Sequence, residues 1–243
     1  MASAPLVSHS QLVSDGQTAV LDGVTTNVAG VTIGTNGSFT LLVVTNGSSV
    51  TSGTVFIGMN GSAANNRLVV SAGSVWDNPG NFYVGHNGSF NKLDVVGAST
   101  VTNVYGYIGG DPPNSSSNTV LVSDPGSLWQ STYVYLGQSS GTNNQLIITN
   151  GGKVVSSFGV LGTGGGRGNS AIVTGAGSIW TNAGNLSIGD YSPNSVFIVT
   201  NGGTVFSGTL SGLGMLGTSS VSNLAIVTDA GSAWTIAGAF YVG

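Results

Sequence analysis

The chain repeats itself about every 26 residues, and on alternate repeats one position holds tryptophan. Its only four tryptophans, Trp76, Trp129, Trp180 and Trp234, are spaced 53, 51 and 54 residues apart, and the matching position of the intervening repeats holds Val50, Val101, Val154 and Val205. A unit this short cannot bury its own hydrophobic face, so it is stable only when stacked on copies of itself. The expected product is an elongated stack that works through its surface and length.

Composition decides what the repeat is made of. With 41 Gly, no Cys, no Glu and only four cations (Arg67, Lys92, Lys153, Arg167), the chain lacks strong helix formers. Val, Thr, Ser, Asn and Gly dominate instead, which favours short strands and tight turns. Disorder is excluded, because 40% hydrophobic residues is too many for a chain that stays unfolded. A net charge of −4 with so few cations argues against a nucleic-acid partner. No stretch approaches the roughly 18 apolar residues of a spanning helix, so no membrane insertion is expected. Weak charge also weakens the repulsion between copies.

Each repeat reads as three short strands separated by turns, which is one coil of a parallel β-solenoid. The all-β fold expected is a β-helix of about nine coils over residues 12–243, with residues 1–11 as an N-terminal extension or cap. Period-two alternation separates inside from outside. In the first strand, Val44, Val70, Val95, Val122, Ile148, Val173, Val199 and Val227 form one inward column, joined by Leu42, Leu68, Leu93, Val120, Leu146, Ala171, Phe197 and Ala225. Between them Val43, Val69, Asp94, Leu121, Ile147, Ile172, Ile198 and Ile226 point outward, as the single Asp indicates. An Asn column (Asn66, Asn91, Asn118, Asn144, Asn169, Asn223) opens most coils. Stacked amides of this kind hydrogen-bond coil to coil, and Asn also tolerates left-handed backbone.

The Trp/Val alternation places a large ring over a small neighbour in a packed interior. Buried indoles need acceptors, and Asn78 and Asn182 are the expected ones. The third strand of each coil ends in an aliphatic-Gly pair: Ile33-Gly34, Ile57-Gly58, Val84-Gly85, Ile108-Gly109, Leu136-Gly137, Leu161-Gly162, Ile188-Gly189, Leu216-Gly217 and Val242-Gly243.

The candidate interaction surface is an outward aromatic stripe on that third strand. One column contains Phe56, Tyr83, Tyr107, Tyr135 and Tyr241, and the adjacent one Tyr105, Tyr133 and Phe158. Aromatic faces in register suit another protein chain or sugar rings. The last coil closes on Tyr241-Val242-Gly243, so the expectation is either a piece of a longer repeat protein or ends that meet the ends of other copies. A regular Thr/Ile outer face on the first strand also resembles the faces of ice-binding solenoids, but its Ser and Val substitutions weaken that likeness.

No catalytic, cofactor or metal site is expected. His9 and His86 have no metal-ligand spacing around them. Asp77, Asp94, Asp111, Asp124, Asp190 and Asp229 are scattered among columns and give no carboxylate pair for sugar cleavage. Gly162–Gly168 lacks the Lys-Ser/Thr ending of a phosphate loop, and no helix follows it. Asn36, Asn46, Asn60, Asn87, Asn114 and Asn185 are formal glycosylation sequons that arise because Asn-Gly-Ser makes a good turn.

The pattern Leu-x-Val/Ile-Thr-Asn-Gly-Gly-x-Val, followed by an aliphatic-Gly pair and Gly-Ser-x-Trp, resembles the autotransporter-type and PEP-CTERM-associated repeats of bacterial surface proteins. The likeness covers about residues 40–243 and more loosely 12–39. It implies export and an extracellular or cell-surface location. The expected role is a structural protein, not an enzyme, whose copies associate into a fibre or surface layer. An adhesin stalk or glycan-binding module is the alternative, and a solenoid hydrolase or lyase stands third.

Overall fold

The computed structural model describes residues 12–110 and 115–243; the expected cap over residues 1–11, and with it His9, lies outside them, as do Asp111 and Asn114. Among the described residues the chain is all β, with 24 strands paired in parallel and no helix. The first strands of successive coils form a nine-stranded sheet running from Thr18–Asp22 to Leu224–Val227. The second and third strands form a 15-stranded sheet, because in three central coils they fuse into the long strands Thr100–Ile108, Leu128–Leu136 and Lys153–Thr163. Nine strands give eight stacking steps, hence a rod of roughly 40 Å at the ordinary strand spacing of about 4.8 Å.

Registers are direct: Leu42 sits on Leu68, Leu68 on Leu93, Leu93 on Val120 and Val120 on Leu146. Both inward columns of the first strand are fully buried from Leu42 to Val199, while Val227, in the ninth coil, is 46% exposed on the side that carries no further strand. The middle column points outward and is half-buried, apart from Asp94. That carboxylate is buried because Arg67 and Lys92, two positions upstream in their coils, close over it at 2.5 and 3.0 Å. Outward direction and burial therefore part company at this one rung.

The Asn column is a continuous buried ladder. From Asn66 to Asn169 each side-chain amide donates to the next Oδ1 at 3.0–3.2 Å, and the same Oδ1 accepts the backbone N–H of the rung before at 2.8–2.9 Å. The ladder residues themselves do not take left-handed backbone. The residues just before them do, including Asn65 (φ 56°), Phe90 (60°), Ser117 (58°) and Asn143 (54°). The turn bends one residue earlier, so that the ladder side chain can aim inward.

The glycine of the aliphatic-Gly pair serves the same ladder. A Cβ on Gly34, Gly58, Gly85, Gly109 or Gly137 would lie 2.0–2.2 Å from the amide nitrogen of the ladder Asn that opens the second coil after it, and each of these glycines has φ between 66° and 77°. Close approach and backbone geometry both demand glycine there. In the coil where Ser195 replaces Asn, Gly162 faces the hydroxyls of Ser192 and Ser195 instead. One pair differs from the expectation: the eighth coil uses Leu213-Gly214, not Leu216-Gly217. The sequence offers two such pairs three residues apart. Pairing of Leu213 with Ile188 selects the first and leaves Leu216 47% exposed.

Trp76, Trp129 and Trp180 are core residues, and Trp234 is half-buried in the ninth coil. Their indole N–H groups donate to Ser52 at 2.8 Å, Asn103 at 2.7 Å, Ser156 at 3.0 Å and Ser207 at 3.0 Å. The expected acceptors Asn78 and Asn182 occupy the right column but the wrong coil. Each ring leans back over the preceding, valine-bearing coil and finds its acceptor there. The same coils make room on their third strand: a Cβ on Gly106 or Gly159 would stand 2.5 or 2.8 Å from the ring of Trp129 or Trp180.

Candidate interaction surface

The third strand places aromatic residues at every second position, facing out. Direct register then stacks them: Phe56 on Tyr83, Tyr83 on Tyr107 and Tyr107 on Tyr135 in one column, Tyr105 on Tyr133 and Tyr133 on Phe158 in the other. Ring centroids along the columns are 4.7–5.4 Å apart and the planes lie within 11° of parallel. Across the columns, Tyr105–Tyr107 and Tyr133–Tyr135 are 6.3 and 6.2 Å apart and again nearly parallel. Seven rings thus form one two-column ladder. Each face-to-face pair contributes about 0.5–1.5 kcal/mol beyond area burial.

This geometry sharpens the expectation in one respect. Parallel rings about 5 Å apart use their faces on one another, so it is the ring edges that meet the outside. His86 closes one side, edge-on to Phe56 at 5.1 Å and to Tyr83 at 4.9 Å. Asn81 donates its amide to the Tyr83 hydroxyl at 3.0 Å. Burial pushes the Tyr135 phenol above its ordinary pKa, helped by the neighbouring Tyr133 and Tyr105 hydroxyls, because a phenolate there would lose water and crowd other oxygens.

Tyr241 does not join the ladder. Its column passes from Tyr135 through Val160, Ser187 and Gly212 before reaching it, so three coils without an aromatic intervene. Tyr241 instead borders a hollow with Leu210, Met215, Leu216 and Val242. The ladder proper ends at Phe158, whose column continues as Asn185 and Leu210.

Beside the ladder lies a neutral groove. Asn103, Ser131 and Ser156 stand two residues upstream of Tyr105, Tyr133 and Phe158, and together with Thr102, Gln130 and Thr132 they help line a cavity of about 170 Å³. Its deepest polar groups are already engaged: Asn103 holds Trp129 and Ser131, and Ser156 holds Trp180.

No protein-family model, no curated protein and no solved structure matches this chain. The function has to be argued from its own geometry.

Among the described residues no three His, Asp, Glu or Cys side chains cluster as a metal site. Asp190, at the end of the strand Leu186–Asp190, is a buried acid. Asp190 is 8% exposed with Oδ1 lacking a hydrogen-bond partner, and burial raises its pKa against a hydrogen bond from Ser187. Nothing in its sequence neighbourhood marks it, because the burial comes from the coils stacked on either side.

Proposed function

We propose that this chain is an extracellular structural protein whose rod-shaped copies associate with one another into a fibre or surface layer. The observation that carries the reading is the seven-ring aromatic ladder: a contiguous outward aromatic surface on a rod with only 12 charged side chains. Aromatic patches of that kind on a soluble surface mark contact with another protein. Weak net charge leaves little repulsion to oppose self-contact. The surface-protein resemblance of the repeat supports the extracellular placement.

A glycan-binding role is the second reading, favoured by the neutral Asn/Ser/Thr/Gln groove beside the ladder. The stacked faces weigh against it, since a sugar ring packs on an aromatic face and not on its edge. Electron microscopy over a wide concentration range separates the two. Extended or layered assemblies are expected; discrete single rods at every concentration would sink the structural reading. Glycan-array binding lost in Gln130→Ala would favour the second.

A further inference from the structure

The aromatic ladder has a chemical property beyond adhesion. Rings stacked face to face meet a partner by their edges, and a tyrosine's edge carries the hydroxyl and the two ring carbons beside it. Those are the atoms at which tyrosyl radicals couple. Five of the seven tyrosines (Tyr83, Tyr105, Tyr107, Tyr133 and Tyr135) sit in this one ladder. The chain has no cysteine, so copies cannot be joined by disulfides.

We propose that the ladder is a site of oxidative cross-linking, at which tyrosines of adjoining copies are joined as dityrosine. The co-reactant is hydrogen peroxide, used by a haem peroxidase. Two phenols each give up one electron and one proton, forming two phenoxyl radicals. A carbon–carbon bond forms between the ring carbons next to each oxygen, and the two hydrogens on those carbons move to the oxygens to restore aromaticity. The peroxide takes the two electrons and two protons and leaves as two waters. A phenoxyl that takes one electron and one proton from a phenol about 5 Å away becomes a phenol again and leaves the radical on the neighbour, so the radical moves from rung to rung. Oxidation at any rung is thereby delivered to whichever ring edge meets a partner. The proposal rests on the structural reading only in that it needs copies to meet.

Two tyrosines outside the ladder provide an internal control. Tyr191 and Tyr241 are 51% and 53% exposed, more than any ladder tyrosine. If exposure alone governed coupling, they would dominate. The native chain and a variant carrying Tyr→Phe at positions 83, 105, 107, 133 and 135 are treated with peroxidase and hydrogen peroxide. Phenylalanine keeps the stack and removes the phenol, and an unchanged melting temperature verifies the fold. Linked species are read on denaturing gels, and the joined peptides by mass spectrometry. The native chain is expected to give dityrosine-linked dimers and higher species through ladder peptides, with at least a ten-fold loss in the variant. Equal cross-linking in the variant, or native links that map to Tyr191 or Tyr241, would overturn the proposal. Microscopy of the same samples keeps the two ideas apart. Assemblies without ladder links refute the cross-linking and leave the structural reading intact. Ladder links formed between otherwise discrete rods support the cross-linking and count against that reading.

Discussion

Two ladders run along this rod at the same spacing, one of amides inside and one of aromatic rings outside. The Asn66-to-Asn169 ladder is fully buried, and from Asn91 onward every Oδ1 within it accepts two N–H groups. The seven-ring ladder is half-exposed, with its ring faces turned on one another and its edges toward the outside. Repetition produces both, because in-register stacking turns any conserved column into a ladder. What separates them is dependence. The amide ladder is bound to the backbone of each coil and to a glycine pressed against it. The aromatic ladder is bound chiefly to itself. The first belongs to the fold and the second is free to serve a partner.

Breaking the inner ladder is expected to produce the largest effect. Gly109→Val would put a side chain 2.0 Å from the Asn144 amide at a φ of 68°, and a loss of about 3–5 kcal/mol in denaturant unfolding is expected. Trp180→Ala removes a fully buried ring and leaves the Ser156 hydroxyl without its indole, for about 3–5 kcal/mol. An unchanged midpoint in either variant would contradict the assigned packing.

The outer ladder is expected to yield less. Tyr107→Ala loses the two face contacts to Tyr83 and Tyr135, about 1–3 kcal/mol by thermal unfolding. Tyr107→Phe keeps both and should stay within about 0.5 kcal/mol of the native chain. A Tyr107→Ala loss as large as that of Trp180→Ala would show that the outer rings are part of the fold's core.

The smallest effect is that of pH. The folded pKa of Tyr135 lies above its ordinary 10.0, so the unfolded chain gives up that proton first. This contribution to stability is therefore complete below pH 10.0 and declines as pH rises through the folded value. Tyr135→Phe should flatten that alkaline decline in melting temperature. An identical alkaline profile in the variant would show that another group causes it.

Much of this was legible in the columns. Alternation of Leu42, Val43 and Val44 determines which side chains face in, and the Asn and aromatic columns stand out in the sequence itself. Three features were not. The Leu-Gly-Met-Leu-Gly stretch at 213–217 offers two equivalent registers, and only pairing with Ile188 chooses between them. The indole acceptors lie one coil back, because sequence gives the position of a tryptophan but not the direction in which its ring leans. The aromatic rings turn their faces along the rod, a side-chain rotation that spacing does not encode.

Sedimentation velocity tests the division between the two ladders most directly. The native chain would be compared with the double variant Tyr105→Thr, Tyr107→Thr, each below its measured melting temperature. Removing these two rings takes the middle out of the outer ladder and leaves every amide rung in place. The account predicts concentration-dependent assemblies for the native chain and folded, discrete rods for the variant. Equal assembly in both, or a native chain that stays monomeric throughout, would contradict it.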